Sequence, residues 1–297
     1  MSTEATKLSA RAGSGDPVRA VSVISTGSVE IRPEHALGTR KPLYWWLMTS
    51  RRWLPPRPIN VYVVEHTNGL VLFDTGQDRA SVTDPSYFPG GLTGVVYSRL
   101  ARFDIAADET LDAQLGTLGY AAGDVDTAVI SHLHQDHIGG ISQLRGERLV
   151  SPAEWAELSG FSPEARGFLR SHIDVPGRRW KHVQFSPIDD LAPFTEGFDV
   201  MGDGSIVLLP TPGHTPGSMS MLIRRRDLPP LLMVGDLTYE AALLERRQLP
   251  GVGARTELGR TTDKVLALAE RLPGLVILPA HDPTAAPRLI NASRRPA

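Results

Sequence analysis

The chain has 297 residues, 41% hydrophobic and 22% charged, and its 31 basic residues against 33 acidic ones leave a net charge of -2. That balance excludes disordered, collagen-like and coiled-coil chains, and a near-neutral total gives no overall basic field for nucleic acid or anionic lipid. Cysteine is absent, which removes disulfides, thiolate nucleophiles and sulfur-ligated metals and leaves His, Asp and Glu as the strong ligands.

Residues 1–18 are small and polar and read as a mobile tail ahead of one domain over 19–297. With no apolar run for a secretory signal or a bilayer span, the expectation is a cytoplasmic protein without a membrane partner. From Val21 onward, short β-branched runs alternate with turns and helices. Val61 to Glu65 and Leu70 to Phe73 flank Asn68-Gly69, which predicts a hairpin. Leu111, Leu115 and Leu118 share one helical face, and Gly119 supplies the stop. Asp126 to Ser131 has the character of a buried strand and leads straight into a histidine cluster. Ser151-Pro152-Ala153-Glu154 matches a capping box with proline at the first helical position. Further strands are expected at 205–209, 219–223, 231–234 and 275–278, and a helix at 262–272. Strands interleaved with helices favour a single α/β domain.

The dominant motif is His-Leu-His-Gln-Asp-His at 132–137, followed by Ile138-Gly139-Gly140. His132 and His134 leave the end of a strand two residues apart, a spacing that can aim both imidazoles the same way. Asp136 and His137 follow in a turn that can serve a neighbouring position. Three more candidate ligands stand just beyond predicted strands, where a rigid scaffold usually carries its sites: His214 in Thr-Pro-Gly-His, Asp236 in Gly-Asp, and His281 in Pro-Ala-His. Five His and two Asp exceed what one ion takes, since a zinc site typically has four ligands. Divided as His132, His134 and His214 around one ion and Asp136, His137 and His281 around another, with Asp236 bridging, they predict two sites sharing a water. Two such ions bring the pKa of that water towards ~7. Zinc is the first expectation, and iron, manganese or cobalt suit the same donors.

This order of motifs resembles the metallo-β-lactamase superfamily from about Val21 to His281. The resemblance implies an αβ/βα sandwich with the metals at one edge of two packed sheets. Tyr239, three residues after Asp236, is similar to a tyrosine that contacts the lactone in the N-acyl homoserine lactone lactonases. Asn60-Val61-Tyr62-Val63 and Leu72-Phe73-Asp74-Thr75-Gly76 also look like that branch. The reading that follows is a quorum-quenching hydrolase in which Tyr239 donates to the developing oxyanion or the ring oxygen and Asp136 carries a proton to the leaving alkoxide. Asp74 reads as a turn residue tying a loop beside the metals rather than as a ligand.

Rival branches fit less well. Cysteine-ligated β-lactamases need a cysteine where Asp236 stands. Glyoxalase II carries a helical extension, whereas only 16 residues follow His281. Ribonuclease Z would show a basic arm, and Arg224-Arg225-Arg226 reads as a solvated strand end instead. The alternative enzyme reading is an ester, thioester or phosphodiester hydrolase on the same fold, and the contrasting class is a metal-binding sensor. His35, His66, His172 and His182 have no motif around them and read as ordinary surface or core residues. Tyr44-Trp45-Trp46-Leu47-Met48, with Trp53, is bounded by Pro42 and Pro55-Pro56. Trp45 and Trp46 are expected to form an apolar wall for the substrate, with a homodimer contact as the alternative.

Overall fold

Period-2 alternation is apolar on both faces of the central strands, so each strand must be covered twice. A computed structural model describes residues 15–294 and shows how this is met. The first sheet comprises β1 (Val18–Ile31), β2 (Arg57–His66), β3 (Gly69–Phe73), β4 (Ala101–Asp104), β5 (Thr127–Val129), β6 (Glu147–Val150) and β7 (Trp180–His182) in the order β4-β1-β2-β3-β5-β6-β7. The second comprises β8 (Ser186–Pro187), β9 (Glu196–Asp199), β10 (Ile206–Pro210), β11 (Met219–Arg225), β12 (Leu228–Met233) and β13 (Val276–Leu278) in the order β13-β12-β11-β10-β9-β8. β2 and β3 form the antiparallel hairpin expected at Asn68-Gly69, while β3, β5, β6 and β7 run parallel, as do β12 and β13.

Tyr62, Val64, Val71, Phe73 and Val129 of the first sheet meet Leu208, Met221, Ile223, Leu231 and Met233 of the second in one buried cluster. The alternate residues Val61, Val63, Leu70 and Leu72 face outward onto Leu111, Leu115 and Leu118 of the helix Leu111–Leu118. On the far side, Leu209, Leu222, Leu232 and Ile277 pack on Leu258, Val265 and Leu268 of the helix Arg255–Arg271. The result is the expected αβ/βα sandwich, a single domain of four layers. No helix among the described residues is long and apolar enough to cross a membrane.

Several local expectations are revised. Residues 1–14 of the expected tail lie outside the described residues, but Asp16 is buried and accepts from the amides of Val18 at 3.0 Å and Arg226 at 2.8 Å. The chain is therefore anchored before residue 18. The helix Arg255–Arg271 begins seven residues earlier than its pattern suggested. Gly259, Thr261 and Thr262 are weak helix formers, and it is the burial of Leu258, Thr261 and Val265 that holds the first turns. Arg225 is no solvated strand end, because its guanidinium is buried against the carbonyls of Pro229 at 2.7 Å and Ala292 at 3.1 Å.

Glycines in the two helical regions near the site carry opposite demands. A Cβ on Gly139 would lie 2.1 Å from the Asp78 amide nitrogen and 2.2 Å from the Gln77 carbonyl carbon, both backbone atoms that cannot give way. A Cβ on Gly116, exposed in the middle of its helix, meets nothing within 4 Å. Gly116→Ala should therefore stabilise the protein by ~0.5 to 1 kcal/mol, whereas Gly139→Ala should cost ~2 kcal/mol or more. Urea unfolding of the two variants checks the opposite signs.

Candidate metal centre

The candidate ligands sit on loops at one edge of the sandwich. His132 and His134 follow β5, Asp136 and His137 lie on the one-turn helix Gln135–Ile138, and His214 belongs to the connection between β10 and β11. Asp236 is in the turn Gly235–Leu237 after β12, and His281 follows β13. Two backbone bonds lock the sheets together at this edge: Met219 N to Ser131 O at 3.0 Å and Asn60 N to Ala280 O at 2.9 Å. All seven side chains converge there. His134 Nδ1 lies 3.1 Å from His132 Nε2 and 3.0 Å from His214 Nε2. His281 Nε2 lies 3.4 Å from Asp136 Oδ2, and Asp236 stands between the groups, with Oδ1 at 3.3 Å from His281 Nε2 and 3.4 Å from His137 Nε2 and Oδ2 at 3.6 Å from His214 Nε2.

The outward ring nitrogens determine what the inward ones can be. His134 Nε2 faces the Arg166 carbonyl at 3.2 Å, His281 Nδ1 the Pro58 carbonyl at 3.0 Å, and His137 Nδ1 the Asp74 carboxylate at 2.8 Å. Each of those partners accepts, so each outward nitrogen carries a hydrogen, and in the neutral ring the inward nitrogen presents its lone pair. Ring nitrogens and carboxylate oxygens of different residues thus stand 3.0 to 3.8 Å apart around common points, and each such contact needs a proton or a metal cation between its two atoms. Among the described residues, buried His137 Nε2 and Asp236 Oδ1 have no hydrogen-bond partner, which suits atoms that ligate a metal. The residues fit a divalent cation. Three groups have ligand atoms within 4.8 Å of one another: His132, His134 and His214; His132, His137 and Asp236; and Asp136, His137 and His281.

Charge divides the cluster in two. Burial, with the crowding of the neighbouring histidines, holds His132 well below the ordinary imidazole value, and burial takes His214 down to about 3. Burial also opposes charge on His137 and His281, but the surrounding carboxylates outweigh it and raise both. Asp136, in spite of its burial, is drawn down to about 2 by His137 and His281. One half is thus three neutral imidazoles and the other is laced with carboxylates, with Asp236 between them.

Neighbouring residues fix the loops. Asp74, at φ 64, holds a left-handed backbone that Asp tolerates better than most residues, and its carboxylate accepts from Ser131 N at 2.7 Å, Ser131 Oγ at 2.8 Å and His137 Nδ1. Ser151 accepts from the Glu154 amide at 3.1 Å, but the Glu154 carboxylate does not return to close the expected capping box. It is fully buried and accepts from Leu133 N at 2.9 Å, Thr215 Oγ1 at 2.6 Å and Gly217 N at 3.0 Å, tying the His132–His137 loop to the His214 loop. Burial pushes it up to about 7 against those hydrogen bonds. Nothing in the local sequence signals this role.

Tyr239 lies over the centre. Its ring stacks on His281 at 5.7 Å, and its hydroxyl is 3.1 Å from Asp236 Oδ2 and 2.8 Å from His35 Nε2. His35, expected to be an ordinary residue, is buried at this site. Together with Asp136, Asp236 and Gln135 these residues open onto a cavity of about 120 Å³ with an apolar wall. That wall contains Leu43, Tyr44 and Leu47 of the helix Leu43–Thr49, together with Val96, Leu100 and Phe103. Trp45 and Trp46 do not line it, which corrects the expectation for this segment. The proline-flanked stretch is a helix after all, and its phase turns Trp45 out to solvent while Trp46, 0% exposed, packs behind His35 at 6.1 Å.

Residues 54–281 match the profile of the metallo-beta-lactamase superfamily. The chain is 32% identical over 239 residues to the N-acyl homoserine lactonase AttM of Azorhizobium caulinodans, covering 79% of this chain and 86% of that one. An N-acyl homoserine lactonase of a Bacillus species is 26% identical over 230 residues, covering 76% and 81%. Two solved structures share the fold. An N-acyl homoserine lactone hydrolase with the product N-hexanoyl-L-homoserine at its catalytic metal centre has a TM-score of 0.71 at 20% identity, covering 90% of this chain and 94% of that one. AidC, a dizinc quorum-quenching lactonase, has a TM-score of 0.58 at 16% identity, covering 90% and 88%. With the profile spanning most of the chain and every motif on one sheet edge, the chain belongs to the metallo-β-lactamase superfamily.

Proposed function

We propose that the chain is a metal-dependent hydrolase that opens the ring of N-acyl homoserine lactones, with two divalent ions, zinc first, as its cofactors. The observation that carries this reading is the buried Tyr239 hydroxyl, 3.1 Å from Asp236 Oδ2, lining a cavity with an apolar wall. A polar head and an apolar tail need both features. The similarity to lactonases at 32% identity supports the substrate class. His132, His134 and His214 would hold one ion, Asp136, His137 and His281 the other, and Asp236 both, because its two oxygens face different groups. Bound there, divalent ions polarise a carbonyl and make water acidic enough to act near neutral pH.

The chain's own residues then supply orientation and proton transfer. Water adds to the ring carbonyl carbon, the ring C–O bond breaks, and the products are a carboxylate, a free hydroxyl and a proton released to solvent. Burial, and then the charges of Asp236 and Asp136, hold the Tyr239 phenol well above its ordinary value, so it remains a hydrogen-bond donor towards the oxygen that gains charge. Asp136, held at about 2, starts as a carboxylate. It can give a proton to the leaving alkoxide only after taking one from the attacking water. Its side chain is 17% exposed, more than those of His137, His281 or Asp236, and it faces the cavity.

A pH-stat assay of protein carrying two equivalents of zinc, against acyl homoserine lactones, a β-lactam, a thioester and a phosphodiester, tests the reading. Lactones should be the fastest by a wide margin, and a thioester or phosphodiester in that place would select the alternative hydrolase. Full activity at one equivalent of metal would overturn the bridging role of Asp236.

Tyr239→Phe should lower kcat by ~10- to 1000-fold with unchanged metal content, because it removes one donor that strengthens as charge develops. Steady-state kinetics with elemental analysis separate this from a ligand role, in which metal would be lost.

Tail preference should follow the cavity wall. Each buried CH₂ is worth ~0.8 kcal/mol, so contact with four extra methylenes favours a long tail by roughly 3 kcal/mol. Leu100→Ala and Phe103→Ala should flatten the dependence of kcat/KM on acyl length, whereas Trp45→Ala should leave it unchanged. Profiles over a series of acyl lengths check the contrast.

A further inference from the structure

We infer that His35 is a positioning residue for Tyr239: its Nε2–H donates to the Tyr239 hydroxyl and keeps that group's single proton turned towards the reacting centre. The inference rests on the proposed role of Tyr239 as donor to the substrate oxygen. It starts from a counting problem. Tyr239 Oη has one hydrogen and two close neighbours, His35 Nε2 at 2.8 Å and Asp236 Oδ2 at 3.1 Å. An ionised carboxylate can only accept. If Tyr239 donated to His35, its oxygen lone pairs would face the Asp236 carboxylate at 3.1 Å with nothing between them. If His35 donates instead, Tyr239 donates onward to Asp236, and every contact is attractive.

Two further observations agree. His35 Nδ1 is buried with no hydrogen-bond partner among the described residues. The proposed tautomer leaves a lone pair there, and buried orphan acceptors are more common than buried orphan N–H donors. Burial also takes His35 down to about 4, so it stays a neutral imidazole with one hydrogen throughout the neutral range. The ring has little freedom to turn. It lies edge-on to Tyr239 at 5.1 Å and against the buried Trp46 at 6.1 Å, and its own carbonyl accepts from the Gly251 amide at 2.8 Å. When a lactone enters, Tyr239 has only to switch its proton from Asp236 Oδ2 to the substrate oxygen. Donation from behind by His35 polarises the hydroxyl and strengthens that new bond.

The test is a double-mutant cycle in the zinc-loaded protein, using lactone hydrolysis and metal content, with imidazole ¹⁵N NMR as an independent readout. His35→Phe should lower kcat ~10-fold or more, with KM changed by less than ~2-fold and metal retained. His35→Gln, whose amide nitrogen can take the place of Nε2–H, should recover most of that loss. In a Tyr239→Phe background, His35→Phe should add nothing, because a residue that acts through the hydroxyl has no effect once the hydroxyl is gone. The wild-type spectrum should show His35 protonated on Nε2 and bare on Nδ1, with the signal assigned by its absence in His35→Gln. A full-rate His35→Phe, losses that multiply with Tyr239→Phe, or a proton on Nδ1 would each overturn the inference while leaving the lactonase reading intact. An unimpaired Tyr239→Phe would instead bring down the role of Tyr239 and, with it, that of His35.

Discussion

Seven side chains whose ring nitrogens and carboxylate oxygens converge on one small volume are the constraint on which this structure depends. Wherever neither a proton nor a metal cation lies between them, such atoms 3.0 Å apart repel and would separate. The surrounding fold acts against that separation. Asp74 holds His137 and Ser131, the Pro58 carbonyl holds His281, the Arg166 carbonyl holds His134, and Glu154 joins the two loops carrying His132 to His137 and His214. None of these restraints is made by the seven candidate ligands themselves. The part of the protein that holds the site together is therefore the layer outside it, which is where its rigidity has to be sought.

The sandwich explains why that layer can be stiff. Both sheets are buried on both faces, so neither can slide without exposing a row of Val, Leu or Met, and a one-residue slip would invert every inward side chain. Short loops from different strands are thereby held at fixed separations. Met219 N to Ser131 O and Asn60 N to Ala280 O then join the two sheets where the ligands emerge. Gly139 allows the Gln135–Ile138 turn to lie directly on the backbone of Gln77 and Asp78, bringing Asp136 and His137 up to the loop that carries Asp74.

Sequence pattern reached as far as local chemistry reaches. The hairpin at Asn68-Gly69, the helix ending at Gly119 and the placement of the His132–His137 motif just after a strand each depend on residues near one another in the chain, and each has the expected form. His35 could not be found that way. It lies 204 residues from Tyr239, and only the packing of the Pro33–Leu37 turn against the turn after β12 makes them neighbours. Glu154 was concealed by a plausible local alternative, since a carboxylate three residues after a serine can cap a helix or reach across to another loop. Trp45 and Trp46 were misassigned for a different reason. Aromatic density says that a segment buries apolar surface, but which residues face the cavity depends on helix phase, and the flanking prolines obscured that a helix was present.

His281, Tyr239, His35 and Trp46 form a continuous run of rings with centroids 5.7, 5.1 and 6.1 Å apart, starting at a candidate ligand and ending on the helix Leu43–Thr49. That helix gives Leu43, Tyr44 and Leu47 to the apolar wall on one side and Trp46 to the ring stack on the other. In the proposed lactonase reading, recognition of an apolar tail and placement of the Tyr239 hydroxyl would fall to neighbouring faces of the same seven residues. A tail that shifts this helix must also move Trp46 against His35, since a close-packed interior transmits displacement rather than absorbing it. On the proposed reading, tail length would then affect the chemical step as well as binding, through packing behind the cavity rather than through any contact between the tail and the reacting ring.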